Sequence, residues 1–152
     1  MKRILSSATG CLSLIALFLL TACQPKETTL LILQTSDTHS CVEPDAKTNT
    51  AGYLRRATLI DSLRQNVDPD LLLFDCGDYS QGSLYYNLFH GETEIRLMNA
   101  MHYDAATIGN HEFDEGQAQM MDCWKTGVSL RPAEWDMEYI SANIRCDATS
   151  DM

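Results

Sequence analysis

The chain has 152 residues, of which 45% are hydrophobic, and a formal net charge of -10 at pH 7. This length suits one domain with its own core, and the composition excludes a disordered or low-complexity protein. The acidic charge excludes an ordinary nucleic-acid-binding surface, which needs a basic face to contact phosphates. An anionic ligand would therefore need a cation between itself and this protein.

The first residues have the pattern of an export signal. A basic start over 1–3 precedes a mostly apolar stretch over 4–20, and the letters L-T-A-C end at Cys23. This stretch resembles a bacterial lipoprotein signal, in which small residues precede the cysteine that receives the lipid. The resemblance implies that 1–22 is a removable signal peptide. Cys23 would then be the acylated first residue of an exported, membrane-anchored lipoprotein facing the periplasm or the cell surface.

An uncleaved membrane anchor is the alternative, because the apolar stretch is close to the length of a spanning helix. The small residues before Cys23 and the polar residues directly after it favour processing. We therefore predict a signal peptide over 1–22, a short tether over 23–29 and a folded domain over 30–152.

Hydrophobic patterning predicts strands and helices in strict alternation. In chain order we expect a strand over 29–35, a helix over 51–65, a strand over 71–75, a helix over 92–101, a strand over 103–108, a helix over 115–124 and a strand over 139–144. Between 77 and 91 we expect a polar and aromatic loop with a helical turn or two. The alternation predicts an α/β fold with a parallel sheet and flanking helices, and the first strand, apolar on both faces, is predicted to be central.

Two local predictions accompany this fold. The helix over 51–65 has an amphipathic pattern whose apolar positions include Leu54, Ile60 and Leu63. Apart from Cys23, the predicted mature chain has four cysteines, at positions 41, 76, 123 and 146, and their three possible pairings stay open. Their spacing is not that of a zinc site, and Cys76 is predicted to be a small buried side chain.

Polar side chains follow three of the predicted strands at the point where each strand ends. Asp37 and His39 follow the first, Asp78 follows the second, and Asn110 and His111 follow the third. Because the carboxyl ends of parallel strands lie along one edge of a sheet, where ligands bind, we expect these side chains to converge. The convergence predicts a functional site at this edge.

The residue types suit metal binding and proton transfer. Asp37 and His39, two residues apart in extended backbone, are predicted to point to the same side and to share one divalent cation. Asn110 offers an amide oxygen, and His111 can act as an acid or base if Asp114 holds one imidazole nitrogen. The alternative is a simple helix entry over 109–114, in which Asn110 is the N-cap and the acidic residues favour the helix dipole.

The motifs resemble those of a known family. D-x-H at 37–39, G-D at 77–78 and G-N-H-E at 109–112 are similar to the first three motifs of the calcineurin-like metallophosphoesterases. T-S-D-T-H at 35–39, the stretch over 52–60 and G-N-H-E-F-D look like the group that contains 5'-nucleotidases and 2',3'-cyclic-nucleotide phosphodiesterases. The resemblance covers about 30–145.

This resemblance implies a phosphoesterase with two divalent metal ions that hydrolyses phosphate esters, with a nucleotide or another small phosphate ester as substrate. Asp37 and His39 would bind the first ion, Asp78 would bridge both, and Asn110 would bind the second. His111, oriented by Asp114, would stabilise the phosphoryl transition state or protonate the leaving oxygen. The ligand types leave manganese, zinc, iron and cobalt undistinguished.

The sequence departs from the family pattern after His111. The family takes further ligands from later histidines, including a Gly-His-x-His motif, and this sequence has none beyond that point. We therefore expect 30–152 to be a partial domain, the N-terminal half of the family's four-layer sandwich, whose C-terminal half is missing. The alternative function is a catalytically inactive surface lipoprotein that retains at most a partial metal site.

Overall fold

The computed structural model describes residues 28–67, 70–129 and 137–145. The predicted signal peptide lies outside these residues, as do Cys23 and Cys146. Within the described part, no helix is both long enough and apolar enough to cross a bilayer.

The chain folds as alternating strands and helices around a parallel sheet. In chain order the elements are β1 Leu30–Thr35, α1 Gly52–Asn66, β2 Asp70–Asp75, α2 Leu84–Phe89, α3 Glu92–Ala100, β3 Ala105–Ala106, a 3₁₀ turn His111–Phe113, α4 Gln117–Ser129 and β4 Glu138–Tyr139. The strand order is β1-β2-β3-β4, and every neighbouring pair is parallel. The predicted α/β class is confirmed.

The strand order puts the connecting helices on one face of the sheet, because right-handed crossovers that step in the same direction return on the same side. Leu33 and Leu73, which are neighbours across β1 and β2, pack in the core on that face. On the other face Leu30 and Ile32 are 46% and 57% exposed. The prediction of a central first strand is wrong within the described residues, where β1 pairs only with β2 and forms an edge.

The buried face of α1 is centred on Tyr53 and Ile60, whereas Leu54, a predicted apolar-face position, is 60% exposed. The Tyr53 hydroxyl pairs with that of Thr38, 3.2 Å away in the loop after β1. At the other end of the helix, Arg64 donates to two main-chain carbonyls just after α3, at 2.6 and 2.7 Å. The contacts of the long side chains of Tyr53 and Arg64 therefore set the rotation of α1 about its own axis. In this orientation Leu54 faces solvent.

The third strand is shorter than predicted. β3 comprises only Ala105–Ala106, whereas the prediction was 103–108. Its hydrogen bonds to β2 extend one residue to each side, from the Asp104 and Thr107 amides to carbonyls of β2. The chain then leaves the sheet and turns at Gly109. This turn brings the third polar cluster toward the other two.

The last helix and strand also differ from their predicted bounds. The helix predicted over 115–124 begins only at Gln117, because Gly116 has a left-handed backbone with φ 86°, which interrupts the helical path. It then continues to Ser129. The strand predicted over 139–144 is wrong beyond its first residue, since β4 is Glu138–Tyr139 and the chain leaves the sheet after one more bond, from the Ile140 amide.

Close packing of α3 against α4 depends on Gly127. A Cβ atom at this position would lie 2.9 Å from the Cβ of Ile95 and closer still to its Cγ2. Ile95 is only 1% exposed, so it has no room to move away. The side-chain amide of Asn99 donates to the Gly127 carbonyl at 3.0 Å and fixes the same contact. This contact positions α3, the helix that leads into β3 and the site.

We expect Gly127→Ala to destabilise the fold. Overpacking a closed contact costs typically about 1–3 kcal/mol, which outweighs the gain of about 1 kcal/mol that alanine has over glycine in a helix. Thermal unfolding monitored by circular dichroism should show a melting temperature lower by about 2–8 °C. Lys125→Ala, at an exposed position of the same helix, is the control and should leave the melting temperature near that of the parent. An unchanged melting temperature in Gly127→Ala would show that α3 and α4 are not in close contact.

Candidate functional site

The loops that follow β1 and β2 stay joined beyond the end of the sheet. The amide of Asp37 donates to the Gly77 carbonyl at 3.1 Å, and the amide of His39 donates to the Asp78 carbonyl at 3.1 Å. One residue further, the Ser40 amide donates to the next carbonyl of the second loop at 2.8 Å. The first two predicted polar clusters are therefore held side by side by main-chain bonds.

The third cluster reaches this pair through two glycines. Gly77 has φ 90°, and a Cβ atom there would lie 2.5 Å from the main-chain nitrogen of Gly109. A Cβ atom at Gly109 would in turn lie 2.5 Å from the main-chain nitrogen of Asp78 and overlap its carboxylate. Only residues without a side chain allow the two turns to approach this closely. The backbone therefore turns tightly at Gly77.

Three candidate ligand residues have left-handed backbones, with φ of 53° at Asp37, 42° at His39 and 53° at Asp78. The expectation that Asp37 and His39 follow each other in extended backbone is therefore wrong. Alternation of side chains along a strand does not apply to them, and their directions are set by the joined loops instead. Non-glycine residues in this region are strained by about 1–3 kcal/mol each, which is characteristic of functional sites.

Within the described residues, one group of metal-ligating side chains converges. Ligand atoms of His39, Asp78 and His111 all lie within 4.8 Å of one another. The two imidazole rings meet edge to face, with centroids 5.2 Å apart. Asp37 is not part of this group, and its carboxylate accepts from the hydroxyl of Ser36. The structure thus brings together members of all three predicted clusters.

The predicted partner of His111 lies beside it. Nδ1 of His111 and Oδ2 of Asp114 are 2.9 Å apart. This hydrogen bond is the main reason why the pKa of His111 is raised above its usual value, while partial burial opposes the shift and nearby carboxylates, including that of Asp78, add to it. Nε2 is then the ring atom left to face a ligand.

Asn110 is exposed, and the simple capping interpretation does not hold for its side chain. Asn110 precedes the 3₁₀ turn, but its side chain makes no capping hydrogen bond. Its role as a metal ligand stays a prediction. Glu112, which was expected only to favour the helix dipole, is instead buried, at 7% exposure.

A directed hydrogen-bond chain lies beneath the site. The guanidinium of Arg56 donates to the hydroxyl of Tyr103 at 3.4 Å, and that hydroxyl is 3.0 Å from Oγ1 of Thr35. Thr35 in turn donates to Oδ2 of Asp75 at 2.6 Å, and Oδ1 of Asp75 accepts from the Gly77 amide at 2.9 Å. Burial is the main cause that raises the pKa of Asp75 to about 6, against these hydrogen bonds.

Among the described residues, no cysteine belongs to the converging group of metal-ligating side chains. Cys41, Cys76 and Cys123 are free thiols. Cys76 is exposed, so the prediction that it is buried is wrong, because it points away from the core between Asp75 and Gly77, which are both buried. The buried cysteine is Cys123, in α4.

Comparison with known proteins gives one consistent answer. The family described as calcineurin-like phosphoesterase matches residues 30–143. The snake venom 5'-nucleotidase of Gloydius brevicauda is 38% identical in an alignment of 124 residues that covers 76% of this chain and 20% of that protein. The solved structure of a 5'-nucleotidase precursor from Thermus thermophilus is similar with a TM-score of 0.59 and 33% identity, covering 64% of this chain and 20% of that one. The NAD nucleotidase of Haemophilus influenzae has a TM-score of 0.66 and 27% identity, covering 79% and 21%.

The fold and the strand-end side chains define an α/β domain with a candidate metal site. The family match extends over most of the chain. The chain therefore belongs to the calcineurin-like phosphoesterase family. It spans about a fifth of the length of each of the three proteins named above.

We expect Asp75→Asn to change the pH dependence of folding. An unfolded aspartate has a pKa of about 3.9, and the folded pKa of Asp75 is about 6. The folded state therefore holds this proton more tightly, so its contribution to stability is full below about pH 4 and is lost as the pH rises through about 6. Asparagine does not titrate, so the Asp75→Asn variant does not lose this stability as the pH rises. Its amide oxygen can still accept the hydrogen bond from the Gly77 amide.

The measurement is the free energy of unfolding in urea between pH 4 and pH 7. The difference between Asp75→Asn and the parent should rise over this range by on the order of 2 kcal/mol. Asp70→Asn, at the exposed start of β2, is the matched control. Parallel curves for Asp75→Asn and the parent would contradict the buried, proton-binding state of Asp75.

Proposed function

We propose that this domain is the metal-binding part of a phosphoesterase that hydrolyses nucleotides or closely related small phosphate esters. The observation that supports it best is the convergence of His39, Asp78 and His111 at the carboxyl edge of the sheet, in a chain of the calcineurin-like phosphoesterase family. Nucleotide specificity is inferred from relatives that are named 5'-nucleotidases.

The donor set fits a divalent cation. The imidazole of His39 and the carboxylate of Asp78, whose ligand atoms lie within 4.8 Å of each other, are a nitrogen and oxygen pair that suits manganese, zinc, iron or cobalt. We propose that Asp37, His39, Asp78 and Asn110 would hold two divalent ions. The ions would supply positive charge for the phosphate and an activated water nucleophile.

His111 is proposed to act on the substrate rather than on the metal. Asp114 accepts the hydrogen bond from Nδ1, which fixes the ring and favours its protonated form. Nε2 can then donate a hydrogen bond to a phosphate oxygen and pass its proton to the leaving oxygen. The same contact would also orient His111 as a metal ligand, so the experiment below separates the two uses.

A cavity beside the candidate site has positively charged side chains on one side, which suit an anionic substrate. A cavity of about 370 Å³ opens beside Asp37 and is lined in part by Arg55 and Arg56. Arg56 is held in place, with its guanidinium carbon 4.2 Å from the ring centroid of Tyr53. Arg55 is exposed on the same helix. In a chain with net charge -10 this local positive charge favours a small phosphate ester over a neutral ligand.

The matched pair His39→Ala and His111→Ala tests the assignment. Mn²⁺ binding is measured by calorimetry, and hydrolysis is measured on AMP and on an aryl phosphate with added Mn²⁺ or Zn²⁺. We expect His39→Ala to weaken Mn²⁺ binding by about 10-fold or more. His111→Ala should keep Mn²⁺ binding within a few-fold and lower turnover by about 10²–10⁴.

If both variants lose Mn²⁺ binding equally, His111 is a ligand and not the acid. If the parent chain binds Mn²⁺ but hydrolyses neither ester, the alternative of an inactive, metal-binding surface lipoprotein is favoured. The observation that supports this alternative is the convergence of three metal-ligating side chains in one group among the described residues.

We also propose that the chain is a lipoprotein anchored through Cys23, with the signal peptide over 1–22 removed. The support is the L-T-A-C ending of the apolar stretch. Cells of a bacterial host that express the chain with labelled palmitate should label it and retain it in the membrane fraction. Cys23→Ser should abolish both, while Cys41→Ser should keep both. Label on the Cys23→Ser variant would rule out this anchor.

A further inference from the structure

The buried carboxylate of Glu112 lies between the turns that carry the candidate ligands. Its Oε1 accepts hydrogen bonds from the amide and the hydroxyl of Ser80, both at 3.1 Å. Its Oε2 accepts from the amides of Asp78 at 2.9 Å and Gly109 at 2.7 Å. The two oxygens thus serve four donors in two different loops.

We propose that Glu112 is a positioning residue that clamps the turn of Asp78 to the turn of His111 and so sets the metal-binding geometry. Its link to metal binding rests on the proposed function, whereas its clamping of the loops does not. Glu112 contacts neither substrate nor reacting atoms in this assignment, and it acts through the residues that it holds.

The hydrogen bonds between the two loops are reciprocal. Glu112, in the third loop, accepts from the Asp78 amide in the second, and the Asp78 carboxylate accepts from the His111 amide at 3.0 Å. These pairs join residues that are 33 and 34 positions apart in the chain. A shift of either turn would break both bonds, so the distance between the Asp78 carboxylate and the His111 imidazole depends on the clamp.

The helix dipole does not account for these contacts. The 3₁₀ turn at Glu112 has only three residues, and of the four donors only the Gly109 amide lies at its N-terminal end. Hydrogen bonds to a charged acceptor are stronger than neutral ones, and loss of this acceptor would leave the main-chain amides of Asp78 and of the buried Ser80 without a partner. The cost would fall on the geometry of the site rather than on helix formation.

Substitution by glutamine should be only partly tolerated. Its oxygen can replace one carboxylate oxygen, but its NH₂ group then faces donors at the other position, the amides of Asp78 and Gly109 or the amide of Ser80. Aspartate is one methylene shorter and does not span both loops. We therefore expect a graded series in which Glu112→Gln is milder than Glu112→Ala.

The experiment compares the parent chain with Glu112→Gln and Glu112→Ala. Glu115→Gln, an exposed glutamate three residues away, is the matched control, and Ser80→Ala removes only one of the four donors. Hydrogen exchange measured by mass spectrometry reports on peptides over 77–81 and 108–112 without added metal. Calorimetry with Mn²⁺ alone measures metal affinity, and circular dichroism verifies the fold.

We expect exchange to become about tenfold faster or more in both peptides together in Glu112→Ala, with less change in the strands. Mn²⁺ binding should weaken by about 10–100-fold in Glu112→Ala and less in Glu112→Gln, with Glu115→Gln unchanged. If Glu112→Ala does not fold, Glu112→Gln decides by the same two measurements.

Unchanged exchange in the peptide over 77–81 would overturn the clamp. Parent-like Mn²⁺ affinity in a folded Glu112→Ala chain would overturn its role in positioning, and uniformly faster exchange in all peptides would reduce Glu112 to a general stabilising residue. A parent chain that binds no Mn²⁺ would overturn the proposed function and the link to metal binding, while the exchange data would still decide the clamp.

Discussion

The site depends on one close approach, in which the turns at Gly77 and Gly109 touch through their main chains and the Glu112 carboxylate holds them together. Glycine at both positions removes the atoms that would keep the turns apart. The carboxylate supplies an acceptor for amides that the sheet no longer pairs. This contact fixes the distance between the loops that follow β2 and β3. It therefore determines whether side chains from the loops after three different strands can face one point.

Strained backbone conformations and main-chain hydrogen bonds between loops occur at the same residues. Asp37, His39 and Asp78 adopt left-handed backbones that cost free energy, and each of the three also takes part in a main-chain hydrogen bond between the loops after β1 and β2. The joined loops over-determine conformations that the residues would not choose alone. A candidate site whose backbone is held in this way needs less ordering when a ligand binds.

The layered arrangement explains why one face of the sheet is covered and the other is not. Crossovers of one hand place the helices over Leu33 and Leu73, whereas Leu30 and Ile32 stay exposed on the far face. Buried tyrosines, an arginine above an aromatic ring and a glycine contact between helices complete the covered side. The site lies at the carboxyl edge, where this rigid side ends.

The sequence by itself determined the alternation of strands and helices, nearly the full bounds of β1, β2, α1 and α3, and the three polar clusters at strand ends that resemble the family later found by comparison. These signals are local, because periodicity and short motifs depend on neighbouring residues. Only the tertiary structure decided that Leu54 and Cys76 face outward, that β3 and β4 have two residues each, and that Glu112 turns inward. The reason is that these features depend on contacts between residues far apart in the chain, such as those of Tyr103 with Thr35 and of Glu112 with Asp78, which no local pattern encodes.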